Sequence, residues 1–129
     1  AVATALRETV EETGLDAGRI EILGHLPHYH TVSGYRVTPV VGWVRPPFTL
    51  APDSFEVAET FEVPLDFLID PRNHRHETAW VRGGERRYWA MPYRDASGRS
   101  RFIWGVTAGI LVMLTRLLAP GRAAGQPSD

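Results

Sequence analysis

The chain has 129 residues, 43% hydrophobic and 22% charged, a composition ordinary for a globular domain with a real core. Its net charge of −1 gives no electrostatic case for a nucleic-acid partner, and the absence of cysteine excludes a disulfide framework or a thiolate metal site. All fourteen basic residues are arginine, the side chain best suited to bidentate phosphate contacts.

In chain order, "AVATALRETVEET" predicts a helix over residues 1–13, with Gly14 just past its end. "DAG" is a turn. Arg19 to Leu26 reads as a strand with Ile20 and Ile22 on one face. "PHYHTVSG" reads as a loop, and Tyr35 to Val44 as a second strand in which Pro39 marks an edge or a bulge. A proline-rich connection follows. Glu56 to Val63 reads as a third strand, and "PLDFLID" as a short helix with Pro64 at its start. "PRNHRH" is a loop. The stretch from Glu77 to Trp104 reads as three antiparallel strands turned at Gly83-Gly84 and at "DASG". Thr107 to Leu118 reads as an amphipathic helix, and residues 120–129 as a disordered tail. The apolar run Phe102 to Thr115 is too short to span a bilayer and ends at Arg116. No signal peptide is visible. This order of helices and strands predicts an α+β fold with a mixed sheet and helices packed on it.

The first helix carries the densest chemistry. At about 100° per residue, Val2, Ala3, Leu6, Thr9, Val10 and Thr13 share one side, and Arg7, Glu8, Glu11 and Glu12 share the other. Glu8 and Glu12 are like charges at i,i+4, costing about 0.2–0.5 kcal/mol. Glu11 and Glu12 sit at the negative end of the helix dipole, where cations are preferred. Arg7 can offset part of this through Glu11. Solvated acidic helix faces are common, but clustered carboxylates are also what hard cations such as Mg²⁺ or Mn²⁺ select.

"RETVEETGL", Arg7 to Leu15, resembles the second half of the Nudix box, G-x5-E-x7-R-E-U-x-E-E-x-G-U with U apolar. Arg7, Glu8, Glu11, Glu12, Gly14 and Leu15 match, and Thr9 stands at the first apolar position. The first half of the box would lie upstream of Ala1, so the N-terminal part of the domain is expected to be missing. "VATALRETVEETGL", "GYRVTPVVGWV", "EVAETFEVPLDFLIDPRNH" and "IWGVTAGIL" are similar to the coenzyme A pyrophosphatase branch of Nudix hydrolases.

The resemblance implies a Nudix-type α/β/α sandwich over residues 1–119, lacking its N-terminal strands. It implies hydrolysis of a diphosphate linkage with Mg²⁺ or Mn²⁺, here of coenzyme A or its derivatives to 3′,5′-ADP and 4′-phosphopantetheine. Glu8 and Glu12 would be the main metal ligands, Glu11 a further ligand or a contact through water, and Arg7 would hold a glutamate in place. A small-molecule substrate follows from the same class, and a cytoplasmic location from that class together with the lack of a visible signal. The net charge and the short apolar run predict no nucleic-acid or membrane partner. Two alternatives stand beside it: a Nudix hydrolase acting on another nucleoside diphosphate derivative such as ADP-ribose, or a truncated, non-catalytic binding module.

Outside the box, Glu59 is the candidate for a further base or ligand, against the commoner role of a solvent-facing strand residue. Tyr29 and Tyr35, in "HLPHYHTVSGY", are candidates for stacking on adenine, with packing an equal alternative. His25, His28, His30, His74 and His76 fit no standard zinc spacing. Arg82, Arg86 and Arg87, or Arg99 and Arg101, could meet an additional phosphate; solvated hairpin charge is the commoner reading.

Overall fold

A computed structural model of the chain describes residues 1–31, 33–53 and 60–119. The fold is α+β. Every strand pairing among the described residues is antiparallel, so no parallel pair supplies a mixed sheet within them. Contacts divide the chain into two units, Ala1–Glu62 and Val63–Asp129.

The first unit opens with helix α1, Val2–Thr13. Its half-buried positions include Leu6, Thr9, Val10 and Thr13, the side that the 3.6-residue period marks as apolar, while Val2 and Ala3 are exposed. No residue of α1 is fully buried. The helix stops at Gly14, whose φ of 74° is left-handed. A Cβ there would also lie 2.7 Å from the Ala51 Cβ, so glycine is required both by backbone conformation and by the close approach of another segment.

A 3₁₀ turn at Ala17–Arg19, capped by the Asp16 carboxylate through the Gly18 N–H at 3.0 Å, leads into strand β1, Ile20–His25. β1 pairs antiparallel with β4, Val40–Val44, from Ile20↔Val44 to His25↔Val40, and the register shifts between Ile22 and Gly24. Ile20 and Ile22 are half-buried, as their alternation predicts. A recess of about 140 Å³ lies between Leu6 and Thr9 of α1 and Ile20, Ile22 and Val44 of the strand pair.

Two expectations change between β1 and β4. The strand expected over Tyr35 to Val44 is split into β3, Arg36–Val37, and β4, with Thr38 and Pro39 between them. Pro39 has no N–H for the ladder; its carbonyl instead accepts from the Leu26 N–H at 2.9 Å. The expected loop "PHYHTVSG" contains a short strand, β2, Tyr29–His30, which pairs with β3. The Thr31 N–H to Tyr35 carbonyl bond, 2.8 Å, closes that hairpin.

The second unit begins with Pro64 and the one-turn helix α2, Leu65–Leu68. The expected "PRNHRH" loop starts as a 3₁₀ turn, Pro71–Asn73, capped by Asp70. Strands β5, Arg75–Val81, β6, Gly84–Arg94, and β7, Ser100–Trp104, form the three-stranded antiparallel sheet that the turn residues predict. Helix α3, Gly105–Leu118, starts two residues before the expected Thr107. Met91 and Ile103, paired across β6 and β7, pack with Ala108 and Val112 of α3 as the buried core, with Phe67, Trp89, Tyr93 and Leu111 around them. The opposite sheet face carries Tyr88, Phe102 and Trp104, and the last two are more than half exposed. The apolar run from Phe102 is thus divided between β7 and α3, and among the described residues no helix is long and apolar enough to cross a membrane.

Of the strand expected over Glu56 to Val63, residues 56–59 lie outside the described residues, and 60–63 are not in a strand. The tail at 120–129 also lies outside them.

Candidate functional site

The acidic face of α1 is built by helix geometry alone. Glu8 and Glu11 are exposed and Glu12 is half-buried. Glu8 and Glu12 lie one turn apart, about 40° around the axis. Arg7 Nη1 reaches Glu11 Oε1 at 3.5 Å. That ion pair, predicted from the i,i+4 spacing, is open to solvent and contributes little to stability. Its consequence is orientation: Glu11 leans along the helix toward Arg7.

The helix end is held from a distance in sequence. The Asp53 N–H donates to the Glu12 carbonyl at 2.9 Å, and the Ala51 N–H donates to the Thr13 carbonyl at 2.7 Å. Two of the carbonyls that a helix terminus leaves orphaned are satisfied in this way. No basic residue lies in the last turn, so backbone donors stand where a cationic side chain would otherwise complement the dipole. The same contact brings Asp53, a fourth acidic residue, to this end of the helix. Sequence reasoning missed it because no local pattern links "LAPD" to "EETG"; the close approach that excludes a side chain at Gly14 is the only sign.

The donor chemistry fits a hard cation. Among the described residues no group of three or more histidine, aspartate or glutamate side chains is gathered as an all-protein metal cage would gather them. Mg²⁺ does not demand such a cage; it is held by one or two carboxylates together with substrate phosphates. Glu8 and Glu12, one turn apart on α1, are spaced so that one cation could meet both.

Other candidates are placed as follows. Tyr29 is half-buried on β2 opposite Val37, whereas Tyr35, 72% exposed, sits in the turn before β3. They share one hairpin but not one register position. His28 Nδ1 lies 2.9 Å from Thr38 Oγ1. Glu59 lies outside the described residues. In the second unit Arg101 is committed to structure. Its Nε donates to Asp95 at 3.4 Å, and the Asp95 carboxylate also accepts from Ser97 Oγ at 2.6 Å and the Arg99 N–H at 2.9 Å. These bonds, the Ser97 hydroxyl first, hold Asp95 below the usual carboxylate range.

Comparison with known proteins bears on the acidic helix. No family model matches the chain. It is 36% identical over 111 residues, 86% of its length, to the uncharacterized Nudix hydrolase NudL of Escherichia coli strain K12. Over 110 residues it is equally similar to NudL of Escherichia coli O7:K1 strain IAI39 and of O1:K1. The chain belongs to the Nudix hydrolase superfamily. It spans 55% of the length of these Nudix relatives. The Nudix relationship gives the match at Arg7 to Leu15 its meaning. The glycine of "EETGL" is where the box helix turns against the Ala51 segment, and of the glutamates before it Glu8 and Glu11 are exposed and Glu12 is half-buried.

Proposed function

We propose that this Nudix chain takes part in divalent-metal-dependent hydrolysis of a diphosphate linkage in a small molecule, with coenzyme A or a derivative as substrate. The supporting observation is the arrangement on α1. Glu8 and Glu12 are one turn apart, Glu11 is paired with Arg7, and Gly14 ends the helix where the box motif requires it.

Glu8 and Glu12 would hold Mg²⁺ or Mn²⁺, with Glu11 as a further contact. A cation bound there supplies charge neutralisation for a diphosphate and acidifies water for attack on phosphorus. The remaining work belongs to the chain. Arg7 keeps Glu11 from folding back over its neighbours. The Asp53 and Ala51 N–H groups hold the helix end rigid, so the two ligand side chains project from a fixed frame. Glu59 is assigned the weaker role of a further base or ligand. Tyr29 and Tyr35 are assigned to the adenine end of the substrate, where an aromatic face offers stacking. A small-molecule substrate and a cytoplasmic setting follow from this reading. Preference for coenzyme A rests on the similarity of "GYRVTPVVGWV" and "IWGVTAGIL" to the coenzyme A pyrophosphatase branch.

The test is to incubate the 129-residue protein, and a version extended upstream in its own reading frame, with Mg²⁺ or Mn²⁺ and coenzyme A. Formation of 3′,5′-ADP and 4′-phosphopantetheine is expected. Turnover of ADP-ribose but not coenzyme A would move the substrate to another nucleoside diphosphate derivative. Failure of both versions on both substrates would mean a non-catalytic binding module.

A further inference from the structure

The sheet of the second unit has an apolar face that its own helix does not use. α3 packs on the side that carries Met91 and Ile103. Alternation puts Tyr88, Ala90 and Pro92 of β6 on the other side, and register adds Phe102, opposite Pro92, and Trp104, opposite Ala90. Phe102 is 54% and Trp104 58% exposed. Their rings lie within 26° of parallel with centroids 6.4 Å apart, the spacing of side chains two residues apart on a strand. The Tyr88 ring meets Trp104 edge-on at 5.8 Å. A lone exposed aromatic needs no explanation, and Trp80, opposite Glu85 on the other side of the sheet, is one. Phe102, Trp104 and Tyr88 instead form a connected row.

Area decides the size of the occupant. Two half-exposed rings leave roughly 200 Å² in water, whereas a stable dimer takes about 800 Å² from each partner. The rings fall well short of a second copy's footprint and suit one flat molecule. Charge decides its sign. On the same face stand Arg75, opposite Ala90, Arg86, opposite Ala79, and Arg94, opposite Ser100; Glu77, opposite Tyr88, is the acidic residue among these strand positions. Three guanidinium groups against one carboxylate make the face cationic. A flat ring carrying negative charge answers both features. Every nucleic base offers a π-face to an aromatic side chain, and arginine favours phosphate. The platform is also set before any ligand arrives. Trp104 is paired with Ala90, and Gly105, with a left-handed φ of 67°, turns the chain into α3 directly after it, so stacking on it requires little ordering.

We propose that the Tyr88, Phe102 and Trp104 face of the second unit binds the base of a free nucleotide, with the arginine charge of β5 and β6 attracting its phosphate. None of these residues belongs to α1 or to the hairpin of Tyr29 and Tyr35. The test titrates the whole protein, in metal-free buffer, with adenosine 5′-monophosphate while NMR follows the indole N–H signals of its four tryptophans. The Trp104 signal should move and the Trp80 signal should not. Trp104→Ala and Phe102→Ala should each weaken binding by about fivefold or more, the loss of one stacking partner. Trp80→Ala should leave it unchanged. The monophosphate should bind more tightly than adenosine, by a margin that shrinks as salt is added. A Trp104 signal indifferent to the nucleotide would overturn the proposal, and so would one that moves with protein concentration instead, the mark of a second copy. Adenosine bound as tightly as its monophosphate would overturn the part given to phosphate. An adenine oligonucleotide bound far more tightly than the monophosphate would replace the free nucleotide with a single strand.

Discussion

Glu12 and Gly14 sit two positions apart and do opposite work. Glu12 is a local liability, repelled by Glu8 and placed at the negative end of α1. Its backbone carbonyl is satisfied by the Asp53 N–H, a bond that does not involve the side chain. Glu12→Gln should therefore leave stability in metal-free buffer unchanged or higher by a few tenths of a kcal/mol. Thermal melts check this; a clearly lower melting temperature would make Glu12 a structural residue. Gly14 is the reverse, a structural necessity without chemistry. Gly14→Ala combines a left-handed φ with a Cβ 2.7 Å from Ala51, and should cost roughly 2–4 kcal/mol. Denaturant unfolding followed by a probe in the first unit measures it.

At the scale of elements, α3 against the β6–β7 sheet holds most of the fully buried side chains among the described residues. Met91 is fully buried between the sheet and the helix. Met91→Ala should cost about 2–5 kcal/mol through lost contacts and a residual cavity. Thr115, equally buried, places its hydroxyl 2.9 Å from the Leu111 carbonyl within its own helix. The Leu68 carbonyl it also approaches already has His74 Nε2. Thr115→Val thus strands no acceptor, and its cost should stay under about 1.5 kcal/mol. The β6–β7 turn supplies an acid-side prediction. Because Asp95 is held below its ordinary pKa, its contribution is present above the unfolded carboxylate value and is lost as pH falls through the folded one. The parent should lose stability below about pH 4, and Asp95→Asn should show a flatter acid limb. Melting curves taken at intervals from pH 3 to pH 6 compare the two.

Across the whole molecule, protection should be uneven. The second unit buries Met91, Ile103, Ala108 and Val112 around one core, whereas α1 buries no residue fully. Hydrogen exchange should be slowest in β6, β7 and α3 and faster throughout α1; equal protection in α1 would show that its half-buried face is more firmly held than its exposure implies. Metal should narrow that gap. Mg²⁺ or Mn²⁺ bound only to the folded helix adds about 1.4 kcal/mol when free metal is tenfold above its dissociation constant. Glu12→Gln should forfeit most of this gain, read as the metal-dependent rise in melting temperature.

Much was legible before the fold. The period of "ALRETVEET" set the helix and its two faces, Gly14 its end, and Gly83-Gly84 and "DASG" the turns of the three-stranded sheet, because each depends on neighbours within a few residues. The box motif was equally local, since a helix alone puts Glu8 and Glu12 one turn apart. Tertiary structure decided what local patterns cannot encode. Pro39 marks the break locally, but which strand each side of it joins, β4 with β1 and β3 with β2, is set by distant partners, and the short β2–β3 hairpin closes only when Thr31 meets Tyr35. The segment that satisfies the acidic helix end comes from Ala51 and Asp53, far along the chain and unmarked by any periodicity. The start of β5 and the last turn of α3 likewise meet through a third segment, at the Leu68 carbonyl that both His74 Nε2 and Thr115 Oγ1 approach. Short-range sterics write helices and turns into sequence; the pairing of distant backbone groups is settled only when the chain closes on itself.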